Sequence, residues 1–142
     1  MPILTRVVIR LAMLYLVVGL AMWIVYTLDQ TEDIGGNWAA LRPVSIHLIT
    51  VGWLTQLIFA VIYWMFPIIS RTQPHGDEWI AWLGVFGLNL GLLFRAIFEI
   101  GLTQGLNPDA GWGLVGAGVL QWAGATAWII AAWGRVRERG GK

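Results

Sequence analysis

Apolar residues along this chain gather into four long stretches separated by short connectors rich in turn residues. The stretches run approximately over 3–28, 44–69, 78–101 and 111–134. Each supplies the roughly 20 mostly apolar residues, at about 1.5 Å rise per residue, that cross about 30 Å of hydrocarbon as an α-helix. None alternates apolar and polar at every residue as a membrane β-strand does. The connectors contain Gly35-Gly36-Asn37, Pro74-His75-Gly76 and Asn107-Pro108-Asp109, residues that break helices and form turns. The first stretch ends on Met22-Trp23-Ile24-Val25-Tyr26. That ending is too bulky for a signal-peptide cleavage site, and the run is longer than the about 7–15 apolar residues of a signal, so it reads as a retained span. The pattern predicts an all-α integral membrane protein in which residues 1–142 form a single transmembrane domain. Short connectors favour antiparallel neighbours, hence a four-helix up-down bundle.

Composition agrees with lipid as the solvent. Of 142 residues, 58% are hydrophobic and 12% charged, against about 25% charged in a soluble domain. A net charge of +1 without a basic block gives no footprint for nucleic acid. The absence of cysteine excludes disulfides, iron–sulfur clusters and covalently attached heme.

The distribution of charge sets an expected orientation. Arg6, Arg10, Arg71, Arg135, Arg137, Arg139 and Lys142 fall on one side of a four-span chain, and Arg42 falls on the other with Asp29, Glu32 and Asp33. The positive-inside rule then places both termini in the cytoplasm, in an inner or plasma membrane of prokaryotic type. Trp38, Trp79, Trp112 and Trp133 lie near the predicted interfaces, where indole rings anchor helices. The fourth span carries Gly113, Gly116, Ala117, Gly118, Ala123, Gly124, Ala127 and Ala131. Small residues let helices approach closely in lipid, either within the bundle or towards another membrane subunit or a second copy.

Polar side chains inside the spans are expensive and call for a partner or a function. Counted from the span ends, His47, Arg95 and Glu99 share a layer in the outer leaflet, while Gln56, Asn89 and Gln121 fall near mid-membrane. Arg95 and Glu99 stand one helical turn apart and can pair; Arg95 is alternatively a holder for an anion such as a heme propionate or lipid headgroup. The three amides suit interhelical hydrogen bonds. His47 is the one histidine within a span, since His75 falls in a connector. It either satisfies its two ring nitrogens by hydrogen bonds or ligates a metal, with Met22 at similar depth or His47 of a second copy as the other ligand. No phosphate loop, nucleophile elbow or Ser/His/Asp set is evident, so a stand-alone enzyme is not expected. Four short spans with few charged residues and no broken-helix pair argue against a transporter.

The second span reads His47-Leu48-Ile49-Thr50-Val51-Gly52-Trp53, followed by Ile58, Tyr63 and Pro67, and the third reads Leu88-Asn89-Leu90-Gly91-Leu92-Leu93-Phe94-Arg95 with Glu99. Over roughly Val44 to Glu99 this resembles part of the catalytic subunit (subunit I) of the heme-copper oxidase superfamily and small membrane proteins similar to it. The resemblance implies a b-type heme held near the outer side, with His47 as axial ligand and Arg95 near a propionate. Where relatives often carry a further histidine, this chain has Ser45, and it lacks the copper-site histidines. The implied role is an electron-transfer module, not oxygen reduction. The alternative is a non-catalytic structural or assembly subunit of a larger respiratory or photosynthetic membrane complex.

Overall fold

A computed structural model describes residues 1–32, 35–66, 78–106 and 109–136. His75, Arg71, Pro67 and the tail beyond Val136 lie outside the described residues. Four helices, α1 (Ile3–Glu32), α2 (Leu41–Met65), α3 (Glu78–Thr103) and α4 (Ala110–Trp133), are each long and apolar enough to cross a membrane. No strand occurs among the described residues.

The helix ends depart from the apolar runs for local reasons. α1 continues through Asp29, Gln30, Thr31 and Glu32, because polar residues continue a helix once it leaves hydrocarbon; the Thr31 hydroxyl donates back to Leu28 O at 3.0 Å. α2 begins at Leu41, ahead of its apolar stretch. Pro43 sits in the first turn, where the missing amide hydrogen has no helical partner to lose. The last turn of α3 is closed by Gly105, whose φ of 66° lets Leu106 N donate to Gly101 O at 2.9 Å. Asn37, from the segment after α1, donates through Nδ2 to Thr103 O at 2.8 Å, tying that segment to the end of α3.

Two apolar clusters hold the helices together. Leu4 and Val8 of α1, Ala60 and Tyr63 of α2, Ala81, Val85 and Leu88 of α3, and Trp128 of α4 form the first. Val44 and Leu48 of α2 meet Leu92 of α3 in the second, with Tyr15, Val18 and Met22 of α1 packed against them. The start of α1 thus meets the end of α2, and its later turns meet the start of α2. α2 and α3 occupy the middle, with α1 mainly against α2 and α4 mainly against α3.

Glycine brings α3 and α4 into near backbone contact. A Cβ built on Gly87 would stand 2.9 Å from Gly124 Cα, and one on Gly124 would stand 2.6 Å from Leu88 N. Gly91 makes the same allowance for Ala117 O and Gln121, and Gly84 for the ring of Trp128. The small residues of α4 therefore divide: Ala117, Gly124 and Ala127 are buried, while nothing approaches Gly116 or Gly118 within 4 Å.

Just beyond α4, Arg135 turns back into the protein and is 1% exposed. Its Nη2 donates to Phe66 O at 2.7 Å, and its guanidinium lies 5.3 Å from the Tyr63 ring centroid. Tyr63 meets Trp128 edge-on, and Trp128 stacks on Phe59. Burial lowers the pKa of the guanidinium and Tyr63 opposes that shift; an arginine stays charged at physiological pH regardless. One residue thus closes the carbonyl end of α2 and fastens α4 to it. We expect Arg135→Met to cost about 1.5–3 kcal/mol, the range for a hydrogen bond to a charged group. Arg135→Lys, which keeps charge without the planar fork, should fall between. Equilibrium unfolding in mixed micelles measures both.

Candidate functional site

His47 lies two turns into α2, and its position there is fixed by the chain just before it. Pro43 leaves its carbonyl one turn behind the imidazole, and His47 Nδ1 stands 2.9 Å from Pro43 O. A carbonyl accepts only, so Nδ1 is the donor, and in the neutral imidazole Nε2 is left with the lone pair. No second hydrogen bond or ion pair to His47 occurs among the described residues. The imidazole is half-buried.

Arg95 and Glu99 project from α3 one turn apart, with Arg95 Nη2 3.3 Å from Glu99 Oε2. Their side chains are 25% and 15% exposed, so the pair is mostly withdrawn from its surroundings. The contact is an ion pair without hydrogen-bond geometry: Arg95 Nε and Glu99 Oε2 are buried and each lacks a hydrogen-bond partner. Val44 and Leu48 of α2 pack against Leu92, and Ala96 packs beside them. His47 immediately precedes Leu48, and Arg95 immediately precedes Ala96, so the structure brings the two to the same end of the α2–α3 contact. No hydrogen bond or ion pair joins His47 to either member of the pair among the described residues.

A second polar group lies deeper. Asn89 of α3 donates through Nδ2 to Gln56 Oε1 at 3.0 Å and to Val85 O at 2.7 Å. Its Oδ1 accepts from Tyr15 of α1 at 2.6 Å and from Gln56 Nε2 at 3.4 Å. Asn89 therefore uses two donors and two acceptor positions, and joins three helices through one side chain. Gln56 is fully buried. Gln121 stands apart from this group: its Cγ packs on Gly91, and its buried Nε2 has no hydrogen-bond partner. Tyr15 is the member that sequence reasoning missed, because a tyrosine in an aromatic-rich span reads first as an apolar ring.

Between His47 and Gln56 the second span is not α-helical. Leu48–Thr55 form a π-helical segment, in which carbonyls pair with donors five residues on. The Thr55 hydroxyl follows the same spacing, donating to Thr50 O at 2.8 Å. The wide turn coincides with Gly52, where the Tyr15 ring lies so close that a Cβ would stand 2.8 Å from its Cγ. The segment thus accommodates the ring whose hydroxyl reaches Asn89. π-Helical turns recur at functional sites, and this one lies between the two polar groups.

Grooves on the surface of the described residues include three. One, of about 410 Å³, runs between α1 and α3; one, of about 250 Å³, lies between Leu20 and Trp23 of α1 and Ile46, Ile49 and Thr50 of α2; one, of about 190 Å³, lies between α2 and α4 near Phe66 and Trp133. His47 and Arg95 line none of the three. Among the described residues no group of three or more His, Cys, Asp or Glu side chains is placed to hold a metal ion. Compared with protein-family models, curated proteins and solved structures, the chain matches none. Four helices long and apolar enough to cross a membrane, with polar side chains buried between them, suggest a membrane protein.

Proposed function

We propose that this chain is a small membrane module that binds a b-type heme for electron transfer, in an up-down bundle with both termini in the cytoplasm of a prokaryotic cell. The observation that carries the reading is the bond from His47 Nδ1 to Pro43 O. Metal-ligating histidines characteristically donate their other ring nitrogen to a carbonyl or carboxylate, which fixes the tautomer and aims the lone pair. His47 would therefore hold the heme iron through Nε2. Arg95, with a buried Nε that lacks a hydrogen-bond partner, fits a propionate oxygen. His47 lines none of these three grooves, so in this reading a second chain supplies the rest of the pocket. A second copy supplying its own His47 would complete a bis-histidine site. Bound there, heme would supply a one-electron couple; the chain's own residues orient the ligand and hold the carboxylate.

An optical spectrum of the purified protein tests this. The expected result is a Soret band that His47→Ala abolishes while the helical circular dichroism stays unchanged. A colourless protein that co-purifies with other membrane subunits would overturn it. That outcome would favour the second reading, a non-catalytic structural or assembly subunit. Gly116 and Gly118 favour that reading, because they leave close-approach positions on α4 that α3 does not use.

A further inference from the structure

The groove between α1 and α3 has the dimensions of a lipid chain. Val7, Leu11 and Tyr15 form its α1 wall, and Trp82, Phe86 and Leu93 lie along its α3 wall. At about 1.5 Å per residue the walls run roughly 12 Å and 16 Å, close to the roughly 15 Å of hydrocarbon in one leaflet. The polar atoms at its floor already serve each other, since the Tyr15 hydroxyl donates to Asn89 and Asn89 is filled by Gln56 and Val85. The lining is therefore mostly carbon, and an occupant needs no polar group along its length.

Charge identifies the occupant's head. Arg10 stands three residues after Val7 and one before Leu11, is exposed, and has no ion pair among the described residues. It lies seven residues beyond Ile3, about 10 Å along the helix, where an unpaired charge facing lipid is costly. Its long stem lets the guanidinium reach back towards the nearer interface, where its fork matches phosphate oxygens. Arg6, one turn nearer that interface, is likewise exposed and without an ion pair among the described residues. Among the described residues Glu78 is the acidic residue in the first turn of α3. We propose that the α1–α3 groove seats an acyl chain of an anionic phospholipid whose phosphate is held by Arg10, with Arg6 adding to the attraction.

Native mass spectrometry of the detergent-purified protein, titrated with palmitoyl-oleoyl phosphatidylglycerol or phosphatidylcholine, tests the proposal. Phosphatidylglycerol should be retained at about fivefold lower concentration, the factor that one basic residue contributes near an anionic surface. Arg10→Gln should cut that difference, Arg6→Gln with Arg10→Gln should bring the two lipids level, and Leu11→Trp, which fills the groove, should weaken retention of both. Should Leu11→Trp fail to fold, Leu93→Trp fills the same groove from α3. Glycerol phosphate in excess should not displace the lipid, because it has no chain. Equal retention of the two lipids by the unmodified chain overturns the proposal. So does a preference that Arg10→Gln leaves undiminished, a bound lipid indifferent to the groove-filling variants, or displacement by glycerol phosphate.

Discussion

Adding one methyl group at Gly124 should be among the most damaging changes this protein can suffer. The same change at Gly116, two turns away on the same helix, should stabilise it. At Gly124 the new carbon would stand 2.6 Å from Leu88 N and 3.0 Å from both Gly84 O and Gly87 C. All three are backbone atoms of the facing helix, so no rotamer change relieves them and α3 and α4 must move apart. Overpacking a tight contact typically costs about 1–3 kcal/mol, and a clash with backbone belongs at or above the top of that range. Separation also loosens the contacts at Gly84, Gly87 and Gly91, so the loss is not confined to one site. At Gly116 the added methyl meets nothing within 4 Å. Only the intrinsic preference remains there, worth about 0.5–1 kcal/mol in favour of alanine in a helix interior. Unfolding of Gly124→Ala and Gly116→Ala in mixed micelles should therefore give opposite signs. Equal effects would mean that α3 and α4 are not packed through these glycines.

Asn89→Leu should be the second large loss, and its size is bounded by what membrane hydrogen bonds are worth. Interhelical bonds in lipid average about 0.6 kcal/mol and reach about 1.7. Asn89 bonds to side chains of two other helices, Tyr15 and Gln56. The substitution removes both contacts and leaves Gln56, fully buried, with its amide unanswered. A loss of about 1–3 kcal/mol follows. Tyr15→Phe breaks one contact at the edge and should cost about 0.6 kcal/mol. The decisive comparison is the pair Gln56→Leu with Asn89→Leu: once both polar ends are gone nothing buried is left unsatisfied, so the double variant should lose less than the sum of the singles. Simple additivity would show that the two amides do not act on each other.

The four long helices were legible because lipid leaves a coarse mark: a helix able to cross it needs an unbroken apolar run, and four such runs are present. Their limits were less legible, since polar residues such as Asp29 to Glu32 continue a helix that the apolar count stops at Leu28. Depth counting brought Gln56 and Asn89 to one level, and they bond. It placed Gln121 there too, but depth says nothing of which way a helix faces, and Gln121 faces Gly91. Arg135 counted in sequence as one more basic residue of the tail; only the fold reveals its burial over Tyr63. For the candidate site, sequence identified His47, Arg95 and Glu99. It had no access to the Pro43 carbonyl that sets the tautomer, because that depends on a side-chain rotamer.

The wide π turn in α2 separates two quantities that a continuous α-helix would lock together. In an unbroken α-helix, the number of residues from His47 to Gln56 dictates the angle between their side chains, at about 100° per residue. A π-helical segment takes up residues without matching rotation, since each of its turns holds more of them. A relative with one residue fewer between the two positions, and no wide turn, could therefore point its histidine and its amide in the same directions as this chain. Searching for kindred sequences by the spacing His47 to Gln56 would miss it. The feature to match is the pair of directions, that of the imidazole one turn after Pro43 and that of the amide towards Asn89.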